Sequence, residues 1–247
     1  MPHDTPRFLD AGEAALSVEF GACVDPAINA QVLALDAALQ AAALAGIVET
    51  VPTYRALMLH YDPLVLSREK LVAKVGALIA AEPAPESAAP TRAKALWRLP
   101  CCYDPDIAED ILEAAALLRL APQELANLHA GLEHRAYMYG FAPGWCYLGA
   151  MPPQLSLPRR ATPRGPTPPG AVLIGGGLSL VAGNPMPTGW YVIGRTPERL
   201  FAPAREPPLL IAPGDAVRFE QVDPATFRAL DAQAAQGETV ATREVLS

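Results

Sequence analysis

Arginines in a proline-rich segment are the first residues of this 247-residue chain whose types and spacing suggest chemistry. The segment "PRRATPRGPTPPG" carries Arg159, Arg160 and Arg164 and contains no carboxylate. A planar guanidinium binds two oxygens of one carboxylate or phosphate at once, so a stiff loop of unpaired arginines suits an anion site. The segment fits equally well a solvated surface loop whose arginines pair with carboxylates elsewhere in the chain. Arg195, at the end of the predicted strand "GWYVIGR", is a further candidate cation.

The four histidines include one candidate for proton transfer. His129 ends a short predicted helix and lies eleven residues before a glycine-rich segment. An imidazolium at a helix C-terminus is also a favourable cap, so His129 has a structural explanation beside the catalytic one. His134 alternates with Ala136 and Met138 on a predicted strand, where packing or exposure accounts for it.

The uncharged segment "GFAPGWCYLG", residues 140–149, combines three aromatic rings with three glycines and a proline. Its glycines and proline predict a bent, irregular backbone, so Phe141, Trp145 and Tyr147 are not expected to turn to one face. Some rings should pack inward, and others should line a pocket or contact a partner, because interface cores favour aromatic residues over charged ones. Cys146 has no base beside it in the sequence and is expected to pack as a small residue.

Standard catalytic signatures are missing from the sequence. It contains no GxxxxGK[ST] loop, no GxSxG elbow and no HExxH pair. The "GGG" at 175–177 precedes a predicted strand, so a tight hairpin turn explains it better than a dinucleotide site. The four cysteines show neither a CxxC pair nor metal-ligand spacing, which favours reduced thiols and no metal site.

Composition excludes several classes of protein. The formal net charge of −7 argues against nucleic-acid binding, which needs a basic surface. No apolar run approaches the roughly 20 residues that span a bilayer, and the first residues lack the pattern of a signal peptide. The sequence therefore predicts a cytoplasmic protein that contacts neither nucleic acid nor membrane.

Hydrophobic periodicity divides the chain into two predicted domains. Residues 1–81 alternate pairs of strands with single helices, which predicts a small α+β domain. Residues 82–93, "EPAPESAAPTRA", are rich in proline, alanine and serine without periodicity and are predicted to be a linker. Residues 94–247 start with a strand and two short helices, predicted at 106–119 and 122–130. Short strands between Pro/Gly turns follow, which indicates a barrel or sandwich, and a helix with a frayed tail is predicted to close the chain.

Seven motifs occur in an order and spacing that resemble one family. They are "EFG", "GIVETVPTYRALMLHYDP", "LHAGLEH", "GFAPGWCYLG", "PRRATPR", "GWYVIGRTPERLF" and "PGDAVRF". The sequence resembles the KipI/allophanate hydrolase subunit 1 family from about Phe8 to Phe219. The resemblance implies an α+β fold: a small ferredoxin-like N-terminal domain followed by a cyclophilin-like β-barrel related to a carboxyltransferase domain.

The resemblance also implies a function and partners. It implies the B subunit of an ATP-dependent 5-oxoprolinase, which converts 5-oxo-L-proline to L-glutamate with a sister C subunit of related fold and a LamB/YcsF-type A subunit. ATP with Mg²⁺ would be used by the assembled complex, with no cofactor evident for this chain alone. The alternatives are a carboxyltransferase-type component of an allophanate or urea pathway, and a KipI-like inhibitor of a histidine kinase.

The site that the resemblance implies needs a clamp for a carboxylate and donors for developing oxyanions. His129 is then the acid–base candidate, and Arg159, Arg164 and Arg195 are the candidate cations. The candidate substrate-binding residues are Gly140, Phe141, Pro143, Gly144, Trp145, Tyr147 and Trp190. One departure lies beside this site: Pro187-Thr188-Gly189-Trp190 replaces an expected Pro-Gly-Gly-Trp, and Thr188 would be strained if its position required a positive φ.

Overall fold

The computed structural model describes residues 2–81 and 94–246. Contacts between Cα atoms divide the chain into two units, Met1–Ala93 (unit 1) and Lys94–Ser247 (unit 2). Each unit is described by itself below. The linker predicted at 82–93 lies outside the described residues.

Unit 1 is an antiparallel sheet with two helices. Its strands pair in the order β1-β2-β4-β3, and the chain order is ββαββα. If β1 followed α2 in the chain, the order would be βαββαβ, as in a ferredoxin-like unit. The predicted α+β fold is therefore confirmed, with the difference that one edge strand comes from the N-terminal end of the unit. The elements are β1 (Pro2–Asp10), β2 (Ala15–Gly21), α1 (Pro26–Ala42), β3 (Ile47–Pro52), β4 (Ala56–Tyr61) and α2 (Arg68–Ala80).

Local sequence explains where the two helices of unit 1 begin. The Asp25 carboxylate accepts a hydrogen bond from the backbone N–H of Ala27 at 2.7 Å and starts α1, whose first residue is a proline. Ser67 caps α2 in the same way. The apolar stripe of α1 then packs on alternate residues of β2 and β4, which buries Val32, Leu16 and Leu59 completely.

Unit 2 is built on eight strands and three α-helices. The strands pair in the order β10-β8-β9-β7-β6-β11-β5-β12, with β11 and β5 parallel and the other pairs antiparallel. The elements are β5 (Ala95–Cys101), α3 (Ile111–Leu118), α4 (Pro122–Ala130), β6 (His134–Tyr139), β7 (Cys146–Ala150), a 3₁₀ turn (Pro153–Leu155), β8 (Ala171–Gly175), β9 (Leu178–Val181), β10 (Tyr191–Arg195), β11 (Ala216–Gln221), α5 (Pro224–Ala235) and β12 (Thr242–Val245).

Two hydrogen bonds close this sheet into a barrel. The backbone N–H of Cys102 donates to the carbonyl of Arg195 at 2.8 Å, and the N–H of Arg195 donates back to Cys102 at 2.9 Å. They join β10 to the residue that follows β5, so seven strands form a ring and β12 adds to the free part of β5. The predicted barrel is confirmed.

The barrel interior is one apolar cluster to which all seven ring strands contribute. Leu99, Leu148 and Ile193 are among its fully buried members, and α3 and α4 pack against it through residues such as Ile111 and Leu125. No described helix of the chain has both the length and the apolarity needed to cross a membrane.

Several sequence predictions for unit 2 need correction. The helix predicted at 106–119 starts later than expected, at Ile111. Two of the short strands that the sequence predicts, "RLFAP" at 199–203 and "PLLIAPG" at 208–214, are irregular loops joined by one bridge, Phe201 to Leu209. Two strands were not predicted. β7 follows directly on a Gly/Pro turn, and β12 is fully exposed and therefore lacks an apolar pattern.

Candidate functional site

The three aromatic rings of the segment 140–149 lie on one side of the barrel wall. Trp145 and Tyr147 are two positions apart, so their side chains share the outer face of β7 while Cys146 faces the interior. Phe141 stands edge-on to Trp145 with ring centroids 5.0 Å apart, and Tyr147 stands edge-on to Trp190 at 6.1 Å. The expectation that the rings turn to different faces is wrong. We call Phe141, Trp145, Tyr147 and Trp190 the aromatic face.

Phe141 reaches the aromatic face through a strained backbone. Its φ is +69°, in the left-handed region that costs a residue with a Cβ roughly 1–2 kcal/mol, and its side chain is 65% exposed. A tight turn holds this conformation, because Ala142 N–H donates to Gly140 and Trp145 N–H donates to Ala142. Strain that orders an exposed apolar ring is typical of a functional surface.

Two glycines allow the loop before β7 to touch a neighbouring turn. A Cβ on Gly183 would lie 2.8 Å from Gly144 Cα and from the carbonyl of Pro143. Gly144 itself has a φ of +76°, and a Cβ there would lie 2.8 Å from Phe201. The backbone contact places Asn184 beside Trp145, whose indole N–H donates to Asn184 Oδ1 at 2.7 Å. Gly144 and Pro143 therefore shape the candidate site through the backbone.

Thr188 is unstrained in the turn that precedes Trp190. Among the described non-glycine residues, only Ala43, Arg119 and Phe141 have a positive φ. The Thr188 hydroxyl accepts from the Trp190 N–H at 3.3 Å, and its carbonyl accepts from Arg164 N–H at 2.8 Å. The threonine thus forms a turn of its own instead of the expected glycine turn, and it connects Trp190 to the arginine segment.

Carboxylates from the start of α3 neutralise two of the arginines in the segment 158–170. Arg164 pairs with Asp110 at 2.5 Å and with Glu109, and Arg160 forms two hydrogen bonds to Glu113 at 2.9 and 2.5 Å. Asp110 also accepts from the Val192 N–H at 2.8 Å, so one carboxylate ties the segment, α3 and β10 together. Pairing with carboxylates elsewhere, one of the two predicted explanations, therefore applies to Arg160 and Arg164.

Arg159 lies in a different environment. Its guanidinium carbon is 5.4 Å from the centre of the Trp190 ring, and its side chain is exposed. Among the described residues no carboxylate lies within ion-pair distance of it. Burial raises the pKa of Tyr147, and the charge of Arg159 opposes that rise, which indicates that the two side chains are neighbours. Arg159 thus adjoins the aromatic face.

Arg195 makes none of the contacts described for Arg159, Arg160 and Arg164. Arg195 donates to the Pro169 carbonyl at 3.2 Å and stacks on Phe227, and burial lowers its guanidinium pKa. Arg195 ends β10, and these neighbours belong to the segment before β8 and to α5. The structure therefore does not bring Arg195 to the aromatic face.

His129 is completely buried in the barrel interior. Its Nδ1 lies 2.8 Å from the Tyr103 hydroxyl, and its Nε2 lies 3.2 Å from the Ser179 hydroxyl. Rings of His134 and Phe219 lie 4.9 and 5.0 Å away. Burial, and secondarily His134, hold the pKa of His129 well below its usual value. The imidazole is neutral and fully hydrogen-bonded, and its predicted acid–base role stays a prediction.

The structure also identifies residues that sequence reasoning missed. Three acidic residues lie within five positions at the start of α3, which is a visible sequence signal: Glu109, Asp110 and Glu113. Nothing in the local sequence related them to arginines about 50 residues later. Asn184 and Ser179 gave no such signal, because a single polar residue in an apolar strand or turn has many uses.

Metal and thiol chemistry find no support in the described parts of the chain. Among residues 2–81 and 94–246, no group of three or more histidine, cysteine or acidic side chains is arranged to hold a metal ion. Burial raises the pKa of the Cys146 thiol to about 12, so it stays protonated beside Tyr139. This agrees with Cys146 as a packing residue.

The chain thus has a closed barrel in one unit and a permuted ferredoxin-like order of elements in the other, and the comparison with protein families assigns both to one family. The chain belongs to the family described as carboxyltransferase domain, subdomain C and D, which matches residues 6–211. Solved structures share this fold. The chain superimposes on the protein TTHA0988 with a TM-score of 0.73 and 34% identity, over 85% of its own length and 40% of that longer chain. The Kluyveromyces lactis urea amidolyase shares the fold with a TM-score of 0.74 at 16% identity, over 98% of this chain and 16% of that one.

Within this family, the chain is similar to a protein of known description. The chain is 31% identical to the 5-oxoprolinase B subunit of Bacillus subtilis in an alignment of length 228 that covers 88% of this chain and 93% of that protein. The resemblance drawn from the seven motifs is confirmed.

Proposed function

We propose that this chain is the B subunit of a multi-subunit, ATP-dependent 5-oxoprolinase that hydrolyses 5-oxo-L-proline to L-glutamate. The observation that carries the proposal is the similarity to the Bacillus subtilis protein over 93% of its length. A protein of this description acts within a hydrolase complex. The partners we propose are a sister C subunit of related fold and a LamB/YcsF-type A subunit.

The chemistry of the substrate explains why several subunits and ATP are needed. A lactam is a resonance-stabilised amide and a poor electrophile, and its carbonyl oxygen must be activated before water attacks the carbonyl carbon. The substrate carboxylate requires a fixed cation, and the developing oxyanion requires hydrogen-bond donors in a water-poor site. Of the cations predicted from the sequence, Arg159, Arg164 and Arg195, only Arg159 adjoins the aromatic face without a carboxylate partner among the described residues. His129 stays the predicted residue for proton transfer.

We propose that this chain does not bind ATP with Mg²⁺ through a phosphate-binding loop of its own. The turn at Gly176 and Gly177 has two positive φ values and joins β8 to β9, so it does not start a helix as a phosphate-binding loop does. Arg160 and Arg164 are already paired with carboxylates. We therefore assign the nucleotide to the assembled complex and derive no step of this chain through it.

Reconstitution tests the proposed function. The chain is co-expressed with the products of its neighbouring genes, which the proposal expects to include the sister and LamB/YcsF-type subunits, and glutamate release from 5-oxoproline is measured with and without ATP. Turnover should require ATP and all three proteins, and the purified chain alone should be inactive. Full activity of the single chain, or no ATP-dependent glutamate release from the complete set, would contradict the proposal.

The alternatives predict other observations. A carboxyltransferase-type role in urea or allophanate metabolism predicts a biotin carboxylase partner, and a regulatory role predicts a histidine kinase as the captured protein. The similarity to urea amidolyase is 16% in identity and supports the fold alone, so no observation favours that activity over the 5-oxoprolinase reaction.

A further inference from the structure

The arginines near the aromatic face differ in whether their charge is already neutralised. The side chain of Arg160 is bonded to Glu113 and lies 3.1 Å from Asp110, and Arg164 is bonded to Asp110 and Glu109. For Arg159, no ion pair or hydrogen bond of the guanidinium is found among the described residues. An exposed arginine in this state keeps its planar fork of donors for an external anion.

The backbone around Arg159 is fixed on both sides. The carbonyl of Leu157 accepts from the Gly176 N–H at 2.7 Å, and the Arg160 N–H donates to the Gly189 carbonyl at 2.7 Å. Pro158 lies between the first contact and Arg159, and the pairs of Arg160 and Arg164 with α3 anchor the segment beyond it. Arg159 therefore projects from a rigid base, which lowers the entropy lost when it binds a ligand.

The surroundings of the Arg159 guanidinium are aromatic. It lies over Trp190, which is almost completely buried and packs edge-on against Tyr147. Tyr147 is half-buried, so part of its ring is accessible beside the cation. A cation flanked by flat apolar groups favours a ligand that joins a carboxylate to a small, flat ring, because one part pairs with the fork and the other covers the accessible part of the Tyr147 ring.

We propose that Arg159, with Trp190 and Tyr147, binds the carboxylate and ring of the lactam substrate on this chain. The proposal rests on the proposed function for the identity of the lactam. In this proposal Arg159 contacts the substrate, whereas Arg160 and Arg164 hold the segment in place through their ion pairs. Asp110 is a positioning residue in this arrangement, since it holds Arg160, Arg164 and β10 together.

Indole N–H signals in two-dimensional ¹⁵N NMR spectra of the full chain test this site. The chain has three tryptophans, and the Trp190 signal is identified by its loss in Trp190→Phe. Added 5-oxo-L-proline should shift the Trp190 signal saturably. The Trp97 indole, which donates to buried Asp215 elsewhere in the barrel, should not move. The same ring without the carboxylate, 2-pyrrolidinone, should bind at least about 10-fold more weakly, as expected when a charge-assisted hydrogen bond is lost.

Two substitutions complete the test. Arg159→Gln should weaken binding of 5-oxoproline by at least about 10-fold while the Trp97 and Trp145 signals stay in place, which shows that the variant is folded. Arg218→Gln removes another exposed arginine of unit 2, paired with Glu133, and should leave binding unchanged. No saturable shift of Trp190 in the wild-type chain, or equal affinity in Arg159→Gln, would overturn the proposal.

The outcomes separate this site from the proposed function. If the reconstituted complex hydrolyses 5-oxoproline and Arg159→Gln leaves KM unchanged, the function stands and the site is wrong. If 5-oxoproline binds at Trp190 but the complex releases no glutamate from it, the site stands and the proposed function is wrong.

Discussion

Two buried imidazoles, those of His129 and His134, make unit 2 sensitive to acid. His134 faces His129 and Phe219 in the barrel interior, and no hydrogen-bond partner of its Nε2 is found in the described part of the chain. Burial lowers the pKa of His134 to about 4, from an ordinary value of 6.5. The neutral ring is tolerated there, but a charged ring would lie in an apolar surrounding.

The expected result is a loss of stability as the pH falls. Because the folded pKa is below the unfolded one, the unfolded chain takes up the proton first, and stability decreases from pH 6.5 down to about 4. His134 accounts for about 3 kcal/mol of the loss. Urea unfolding followed by tryptophan fluorescence at several pH values measures it. His134→Gln should reduce the slope, whereas His60→Gln, at an exposed position, should not; equal slopes in all three proteins would refute the assignment.

The loop before β7 and the turn after β9 are held together by the contact between Gly144 and Gly183. A Cβ at Gly183 would collide with backbone atoms of the loop, and backbone atoms cannot move aside as the end of a flexible side chain can. The positions of Trp145 and Phe141 depend on this contact, since the indole N–H is bonded to Asn184 in the same turn. A small change at Gly183 should therefore displace the whole aromatic face.

Gly183→Ala should lower the free energy of unfolding by about 2 kcal/mol or more, as overpacking typically does, and should shift the fluorescence of Trp145. The matched control is Gly165→Ala. A Cβ at Gly165 meets no atom within 4 Å and its φ is not positive, so that variant should be neutral or slightly more stable. Thermal unfolding of the two variants makes the comparison. Similar melting temperatures for both would show that the loop adapts easily.

Sequence patterns predicted the elements whose information is local. Asp25, Ser67 and the apolar stripe of α1 mark the helices of unit 1, and short apolar runs between Pro/Gly turns mark β8 and β10. The partners of Arg160 and Arg164 escaped prediction because they lie in α3, about 50 residues earlier, and only the closed barrel brings them near. The aromatic face escaped for a similar reason. Its rings were expected to point in different directions. The left-handed φ of Phe141 brings its ring beside Trp145, and the sequence does not predict that φ because the position is not a glycine.

The molecule as a whole consists of two separately organised cores. The buried cluster of unit 1 contains residues between Leu16 and Val75, and the clusters of unit 2 contain residues between Ala95 and Phe227. Each apolar cluster is thus assembled from one unit. A core of this kind is the ordinary requirement for independent folding.

Residues 94–247, expressed alone, should therefore fold. Their ¹⁵N spectrum should overlay the corresponding signals of the full chain, with the three indole signals unchanged, because all three tryptophans belong to unit 2. Residues 1–81 expressed alone provide the complementary spectrum. A collapsed spectrum from the 94–247 fragment would show that unit 2 depends on unit 1 to fold.

The parallel pairing of β5 with β11 has a consequence for synthesis of the chain on the ribosome. About 115 residues separate the end of β5 at Cys101 from the start of β11 at Ala216. At 5–20 residues per second, β5 waits roughly 6–23 s for its partner. Leu96, Trp97 and Leu99 of this strand are buried in the finished barrel and remain uncovered during that interval. The newly made protein therefore passes through a stage at which a chaperone has an apolar strand to bind.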